Sequence, residues 1–253
     1  MPAEPARRRA PPRTLEVIRK HALTPHMLRV TLGGPGITGF PEDSDGGYIK
    51  IHLGDGEGHS DTSRVRTYTV RRFDGRNIDV DFVLHESDGP AARWAQSCRP
   101  GDTIKVGGPG PRKSVDPSAD WVLIAGDMSA LPAICANIER MSPTAKGFAL
   151  LEVIGDEDRQ DLRAPEGLQV KWLVNPDPET ENSVLFDAVR SLAWLPGRPC
   201  VWVAGEFNQS LAIRSYLKAE HGVTRDHMYA SSYWQIGHTE DGHRINKRNA
   251  AED

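Results

Sequence analysis

Val65-Arg66-Thr67-Tyr68-Thr69-Val70-Arg71 combines β-branched, aromatic and charged residues without glycine or proline, and it reads as a strand. Side chains along a strand alternate faces, so Arg66 and Tyr68 emerge together, a guanidinium fork beside one flat ring. A guanidinium suits a pyrophosphate bidentately, a phenol ring can lie against an isoalloxazine or ribityl surface, and a threonine hydroxyl or amide at the strand end can reach the ring edge. The run therefore offers three handles for a flavin nucleotide. A solvent-facing strand with no ligand is the plainer alternative.

Outward from this run the first half is all strand. Leu15–His21, Met27–Leu32, Tyr48–Leu53 and Ile78–Leu84 each alternate apolar with polar residues. Gly33-Gly34-Pro35-Gly36, the polar tract Gly54–Ser63 and Asp74-Gly75 supply turn and loop chemistry between them. Strand follows strand with no helix, which predicts a small antiparallel β-barrel of Greek-key type. Asp88-Gly89-Pro90 breaks the pattern as a helix start, with Ala91 and Ala92 leaving room for close approach. Such a start points amides at an anion, so a dinucleotide pyrophosphate could sit there opposite Arg66. A capped helix that plugs the barrel mouth with Trp94 as its anchor is an equal reading.

Past a Gly107–Pro111 hinge and the loop Ser114–Asp120 the rhythm changes. Apolar runs Trp121–Ala125, Phe148–Ile154, Val170–Val174 and Cys200–Ala204 alternate with helical stretches near 130–141, 183–192 and 210–220. Runs buried on both faces, separated by helices, predict a parallel sheet and a Rossmann-like α/β domain. Ligands of such sheets bind at strand carboxyl ends, which places Gly126-Asp127-Met128-Ser129-Ala130 and Gly205-Glu206-Phe207 at one rim. No G-x-G-x-x-G is present; one glycine precedes a Ser-capped helix with Pro132 in its first turn. The same glycines could simply end strands. Beyond the second strand of this half, Asp156 and Asp158 would favour a free ribose hydroxyl and Arg159 a phosphate, which leaves NADH and NADPH both open.

With 253 residues the chain can hold two domains with proper cores. A net charge of −4 and a pI near 6.1 exclude a general nucleic-acid binder. A mean hydropathy of −0.50 without a long apolar run excludes a membrane-spanning helix. The basic, proline-rich Arg7–Pro12 is followed by no apolar signal segment and reads as a disordered tail, with a phosphate-binding arm as the lesser alternative; the cysteine usage makes the cytoplasm the expected setting. Cys98, Cys135 and Cys200 are three widely spaced thiols without C-x-x-C spacing, which suggests neither disulfides nor a zinc site, and no metal constellation stands out among the nine histidines.

The motifs Arg66–Thr69, His85–Ala95, Pro100-Gly101-Asp102, Gly107–Gly110, Ala125–Ile134 and Ser232-Tyr233-Trp234, in that order, closely resemble the siderophore-interacting protein family. These are flavin-dependent ferric-siderophore reductases of the ferredoxin-reductase-like superfamily. The resemblance runs from Thr14 to Arg248. It implies a FAD-binding barrel over 14–113, an NAD(P)H-binding α/β domain over 114–230 and a C-terminal extension over 231–253 that approaches flavin and substrate, after a tail over 1–13. FAD would be held by Arg66, Thr67, Tyr68, Thr69, Val83, His85, Gly89, Pro90, Ala91, Ala92 and Trp94, with His85 given no acid–base role. NADH or NADPH would meet Asp127, Ser129, Ala130, Gly205 and Glu206, and Trp234 would lie near the flavin. Lys50 and Arg112 or Lys113 stand where the family places cations for an anionic siderophore; Arg244, Lys247 and Arg248 of the tail read either as a solvated helix face or as a charge run that closes over the barrel beside them. One branch of the family has an arginine just before its Tyr-Trp, whereas this chain reads His227-Met228-Tyr229 upstream.

The implied activity passes a hydride from NAD(P)H to flavin and single electrons to siderophore-bound iron(III), releasing iron(II) with no protein metal ligand. Two rivals remain at this stage. One is a flavin reductase serving a protein acceptor; the other is a siderophore- or flavin-binding module without catalysis. A monomer is the working expectation, although nothing in the sequence encodes oligomeric state.

Overall fold

The fold is that of a computed structural model, which describes residues 11–54, 64–85, 89–238, 242–243 and 245–248. Most of the expected N-terminal tail, most of the Gly54–Ser63 loop, Asp88 of the expected helix start, and Arg244 lie outside the described residues. The chain divides into two compact units, Met1–His21 with Arg29–Arg112, and Ala22–Leu28 with Lys113–Asp253.

The first unit holds strands β1 (Arg13–Thr24), β2 (Met27–Gly33), β3 (Tyr48–Leu53), β4 (Arg64–Thr69), β5 (Arg72–Phe73), β6 (Ile78–Val83) and β7 (Thr103–Gly110), with helix α1 (Pro90–Ser97). They form one seven-stranded sheet in the order β4-β3-β7-β1-β2-β6-β5. The pairs β1–β7, β3–β7, β3–β4 and β5–β6 are antiparallel. Alternation drives this arrangement: Ile49, Ile51 and Leu53 of β3, Ile78, Val80 and Phe82 of β6, and Ile104 and Val106 of β7 are all buried in the interior. Tyr68 of β4 meets Phe82 of β6 with ring centroids 4.4 Å apart, so aromatic packing joins the first strand of the sheet order to the last but one. On the outer face the buried Asp81 accepts two hydrogen bonds from Arg29, at 2.6 and 2.8 Å, the pairing a buried charge requires.

The expected Gly107–Pro111 hinge is instead largely the end of β7. Its glycines belong to the ladder, where Gly107 faces Lys50 and Gly110 faces Tyr48. A side chain at Gly110 would collide with the Tyr48 ring. The strand also begins earlier than the expected end of the tail, since Arg13 already starts β1 and donates to the Thr38 and Gly39 carbonyls.

The second unit holds β8 (Trp121–Gly126), α2 (Leu131–Ile138), β9 (Lys146–Val153), β10 (Gly167–Val174), α3 (Val184–Arg190), β11 (Pro199–Glu206), α4 (Phe207–His221) and β12 (Met228–Trp234). All four pairings are parallel, in the order β10-β9-β8-β11-β12. The chain therefore winds one way from β8 to β10 and the other way through β11 to β12, which puts the topological switch point between β8 and β11. Trp121, Leu123, Ala125, Leu150, Val201, Val203, Ile213 and Leu217 form the core on one side of this sheet. Met228–Trp234 is thus an edge strand of the sheet, so the expected boundary at 230/231 falls inside an element rather than between two.

The turn between β1 and β2 belongs to this second unit. There the Asp158 carboxylate, with no exposure, accepts from the His26 amide at 3.0 Å, from His26 Nδ1 at 2.7 Å and from the Gly155 amide at 3.0 Å. Burial pushes the Asp158 acid up, yet its hydrogen bonds, those of His26 and Gly155 among them, hold it below the ordinary range. Asp158 is consequently an anchor for the turn after β9, not an acid offered to a ribose.

Candidate flavin and nucleotide sites

On β4, register decides which side chains share a face. Arg66 lies opposite Ile51 and Tyr68 opposite Ile49, both fully buried, so Arg66 and Tyr68 project to the interior side of an edge strand and remain half-buried. Thr67 lies opposite Lys50 on the other face and accepts a hydrogen bond from Lys50 Nζ at 2.5 Å. Thr69, opposite the exposed Tyr48, faces the same outer way. The structure therefore brings Arg66 and Tyr68 together and separates Thr67 from them.

Tyr68, Phe82 and Trp94 form a continuous aromatic row, with Phe82 and Trp94 centroids 5.8 Å apart. That row ties β4, β6 and α1 into one wall. Helix α1 packs on β6 and β3, burying Ala91, Ala92 and Ala95. Gly89 at its N-cap provides no side-chain cap, and Pro90 follows at the first helical position. The helix thus plugs the barrel through its alanines and Trp94, while its first turn keeps the small residues that a pyrophosphate needs nearby. Val83 ends β6 half-buried, and His85 just beyond it is also half-buried. A half-buried guanidinium and phenol on one face, beside an uncapped helix start, are the donor set and flat surface that FAD requires.

At the second unit's switch point one carboxylate organises the strand ends. Asp127 Oδ1 accepts from the Ser129 amide at 2.9 Å and from Ser129 Oγ at 2.5 Å. Its Oδ2 accepts from the Glu206 amide at 2.8 Å and from Trp234 Nε1 at 2.7 Å. The turn after β8 and the ends of β11 and β12 are thereby joined by a residue only 7% exposed. Gly205 makes this possible: its φ of 149° is glycine territory, and a Cβ there would lie 2.5 Å from Asp127 Oδ2. The expected serine cap on α2 is absent, because Ser129 turns its hydroxyl to Asp127 and Ala130 takes the N-cap position. Glu206 caps α4, accepting from the Gln209 amide at 2.9 Å, which starts that helix at Phe207 rather than at the expected Ser210.

Three further polar residues belong to this rim. Glu152 at the end of β9 is 4% exposed and accepts from Asn175 Nδ2 at 2.8 Å and Gln209 Nε2 at 3.4 Å. Gln209 also accepts from the Leu185 amide at 3.2 Å, linking α3 to the same network. Burial raises the Glu152 acid above its ordinary range, the nearby Asp127 and Glu206 charges add to this, and the two amide donors oppose it. Hydrophilic residues at the carboxyl ends of apolar strands are the signal that could have found Glu152 and Asn175, whereas Gln209 lies within α4 and carries none.

The expected siderophore cations have different surroundings. Arg112 donates to both Asp43 carboxylate oxygens, at 2.8 and 2.5 Å, which raises its pKa further and spends its charge locally. Lys247 donates to Ser231 Oγ at 2.7 Å and to the Ser232 carbonyl at 2.6 Å, docking the helical residues 245–248 onto β12. His243 joins that dock, 2.7 Å from Ser232 Oγ, and burial followed by the Lys247 and His238 charges pushes it down to about 4. Lys50 meets the neutral Thr67 hydroxyl, and among the described residues no ion pair to it is found. Lys113 and Arg248 are exposed. Beyond β9, Asp156 and Arg159 form an exposed ion pair at 2.5 Å.

Comparison with known proteins follows the same division. Residues 16–64 and 55–113 match the model of the siderophore-interacting FAD-binding domain, and residues 119–237 match that of the siderophore-interacting protein. The chain is 37% identical over 252 residues to the ferric vibriobactin reductase ViuB of Vibrio cholerae, covering 92% of each. It is similar to the crystal structure of the siderophore-interacting protein SipS from Aeromonas hydrophila, with a TM-score of 0.87, 32% identity, and coverage of 96% of this chain and 99% of that one. A siderophore utilization protein from T. fusca gives a TM-score of 0.80 at 33% identity, over 93% and 98% of the two chains. Among the described residues no helix is long and apolar enough to cross a membrane. With both domain models matched in order and relatives above 30% identity over nearly its full length, the chain belongs to the siderophore-interacting protein family.

Proposed function

We propose that this protein is a ferric-siderophore reductase of the cytoplasm, drawing on NADH or NADPH and releasing iron(II) from a ferric siderophore as a monomer. The similarity to a ferric vibriobactin reductase over 92% of both chains is the observation that carries this reading. FAD, when bound, supplies conversion between paired and single electrons. The chain's own part is placement and charge. Arg66 would grip the pyrophosphate, Tyr68 with its aromatic row would present a flat wall, and the start of α1 would face the phosphates. Asp127 and Ser129 would shape the rim that meets the reduced nicotinamide. Lys50, Lys113 and Arg248 would steer an anionic ferric chelate, Lys50 meeting a neutral hydroxyl among the described residues. Hard oxygen chelators bind iron(II) less well than iron(III), so reduction suffices for release.

The test is anaerobic steady-state reduction of a ferric siderophore with an iron(II) trap, run separately with NADH and NADPH. Flavin-dependent iron(II) formation with either donor is the expected result. Reduction of a ferredoxin or flavodoxin without turnover of ferric chelates would move the protein to the rival reading.

A further inference from the structure

The turn between β8 and α2 occupies the place where a doubly wound sheet ordinarily grips a diphosphate, through free amides at a helix start. Here those amides are already spent. The Ser129 amide goes to Asp127 Oδ1 at 2.9 Å, the Ala130 amide to the Asp127 carbonyl at 3.0 Å, and the Leu131 amide to the Met128 carbonyl at 3.3 Å. Pro132 has no N–H, and the Ala133 amide bonds the Ala130 carbonyl at 3.0 Å. The Asp127 carboxylate sits in the middle, taking four donors from Ser129, Glu206 and Trp234. Gly205 leaves the space it fills. Among the described residues no ion pair to Asp127 is found; N–H and O–H donors alone compensate it, as they would a bound anion.

We propose that the Asp127 carboxylate is the resident anion of this turn, so that the nicotinamide nucleotide meets the rim with its uncharged nicotinamide end and keeps its diphosphate off the turn. This rests on the reductase reading and deepens it. The Ser129 hydroxyl donates its one hydrogen bond to Asp127 and so presents only lone pairs outward. Its fitting partner is a donor, such as the carboxamide NH2 of nicotinamide, and not a phosphate oxygen. The Glu206 carboxyl, which with Asp127 acts on the buried Glu152 acid, adds to the same field. A diphosphate would be repelled there, whereas the nicotinamide ring gains positive charge as it gives up a hydride.

Removing the resident anion should leave an anion hole. In the flavin-loaded Asp127→Ala protein, millimolar formate or inorganic phosphate should raise the thermal midpoint by several degrees and change tryptophan fluorescence, while the parent responds to neither beyond a sodium chloride control. In the parent, which needs no variant to fold, nicotinamide riboside should raise the KM for the reduced nucleotide and inorganic pyrophosphate should not. A folded Asp127→Ala protein indifferent to both anions would overturn the proposal, as would competition by pyrophosphate in the parent. Failure of the reductase reading is seen separately, as a parent flavin that neither NADH nor NADPH bleaches.

Discussion

The two halves treat their polar groups in opposite ways. On β4, Arg66 and Tyr68 stand half-buried along an edge strand, with Arg66 donating to the adjacent Val65 carbonyl at 3.2 Å and Tyr68 resting on Phe82. At the switch point, Asp127 draws donors from one turn and two strand ends into one carboxylate. The first arrangement presents recognition groups on a firm floor, which suits a cofactor held through many turnovers. The second completes itself, which suits a substrate that must arrive and leave. How tightly each ligand binds should follow from this difference.

The largest effect is expected on the flavin side. Arg66→Ala, which removes a charge-assisted contact worth about 1.5 to 3 kcal/mol, should weaken FAD about 10- to 100-fold, read as flavin absorbance retained through gel filtration. Thr67→Ala, on the opposite face, should leave retention unchanged; equal loss in both variants would break the facial assignment. Next comes Gly205→Ala, which forces a side chain into a glycine-only conformation and onto Asp127, at a cost of about 1 to 3 kcal/mol. Denaturant unfolding should register that cost, with a raised KM for NAD(P)H and FAD retained.

A smaller effect tests the charge buried at the rim. Because the folded protein holds the Glu152 proton more tightly than the unfolded chain, its contribution to stability is full at low pH and is lost as pH rises through the raised value. Glu152→Gln cannot ionise, so its stability relative to the parent should climb from pH 4 to pH 8, measured by thermal midpoints; a flat difference would mean the acid is not perturbed. The smallest effect is at Lys50. Lys50→Gln should raise KM for an anionic ferric chelate a few-fold at low salt, with turnover of a neutral chelate unchanged.

Much of the fold was legible because burial alternates strictly where the sequence does. Ile49, Ile51 and Leu53 announce β3, and Val122 to Ala125 announce a strand covered on both faces. β7 was missed because Gly107-Gly108-Pro109-Gly110 carries turn chemistry; its strand character comes from pairing with β3, which local sequence does not encode. β12 was missed for a related reason, since it is an edge strand mostly half-exposed and lacks a continuous apolar run. For the sites, Asp127 and Glu206 could be placed from strand ends alone. Their roles could not, because Trp234 lies 107 positions from the carboxylate it donates to. Thr67 lies on the face opposite Arg66 and Tyr68, as the alternation already present in the run requires.

The reductase account is tested most directly by the visible spectrum of the purified protein under anaerobic conditions. It predicts a flavin absorbance that NADH or NADPH bleaches and a ferric siderophore then restores, with iron(II) appearing in proportion. A colourless protein that FAD does not reconstitute, or a bound flavin that neither nucleotide bleaches, would contradict it.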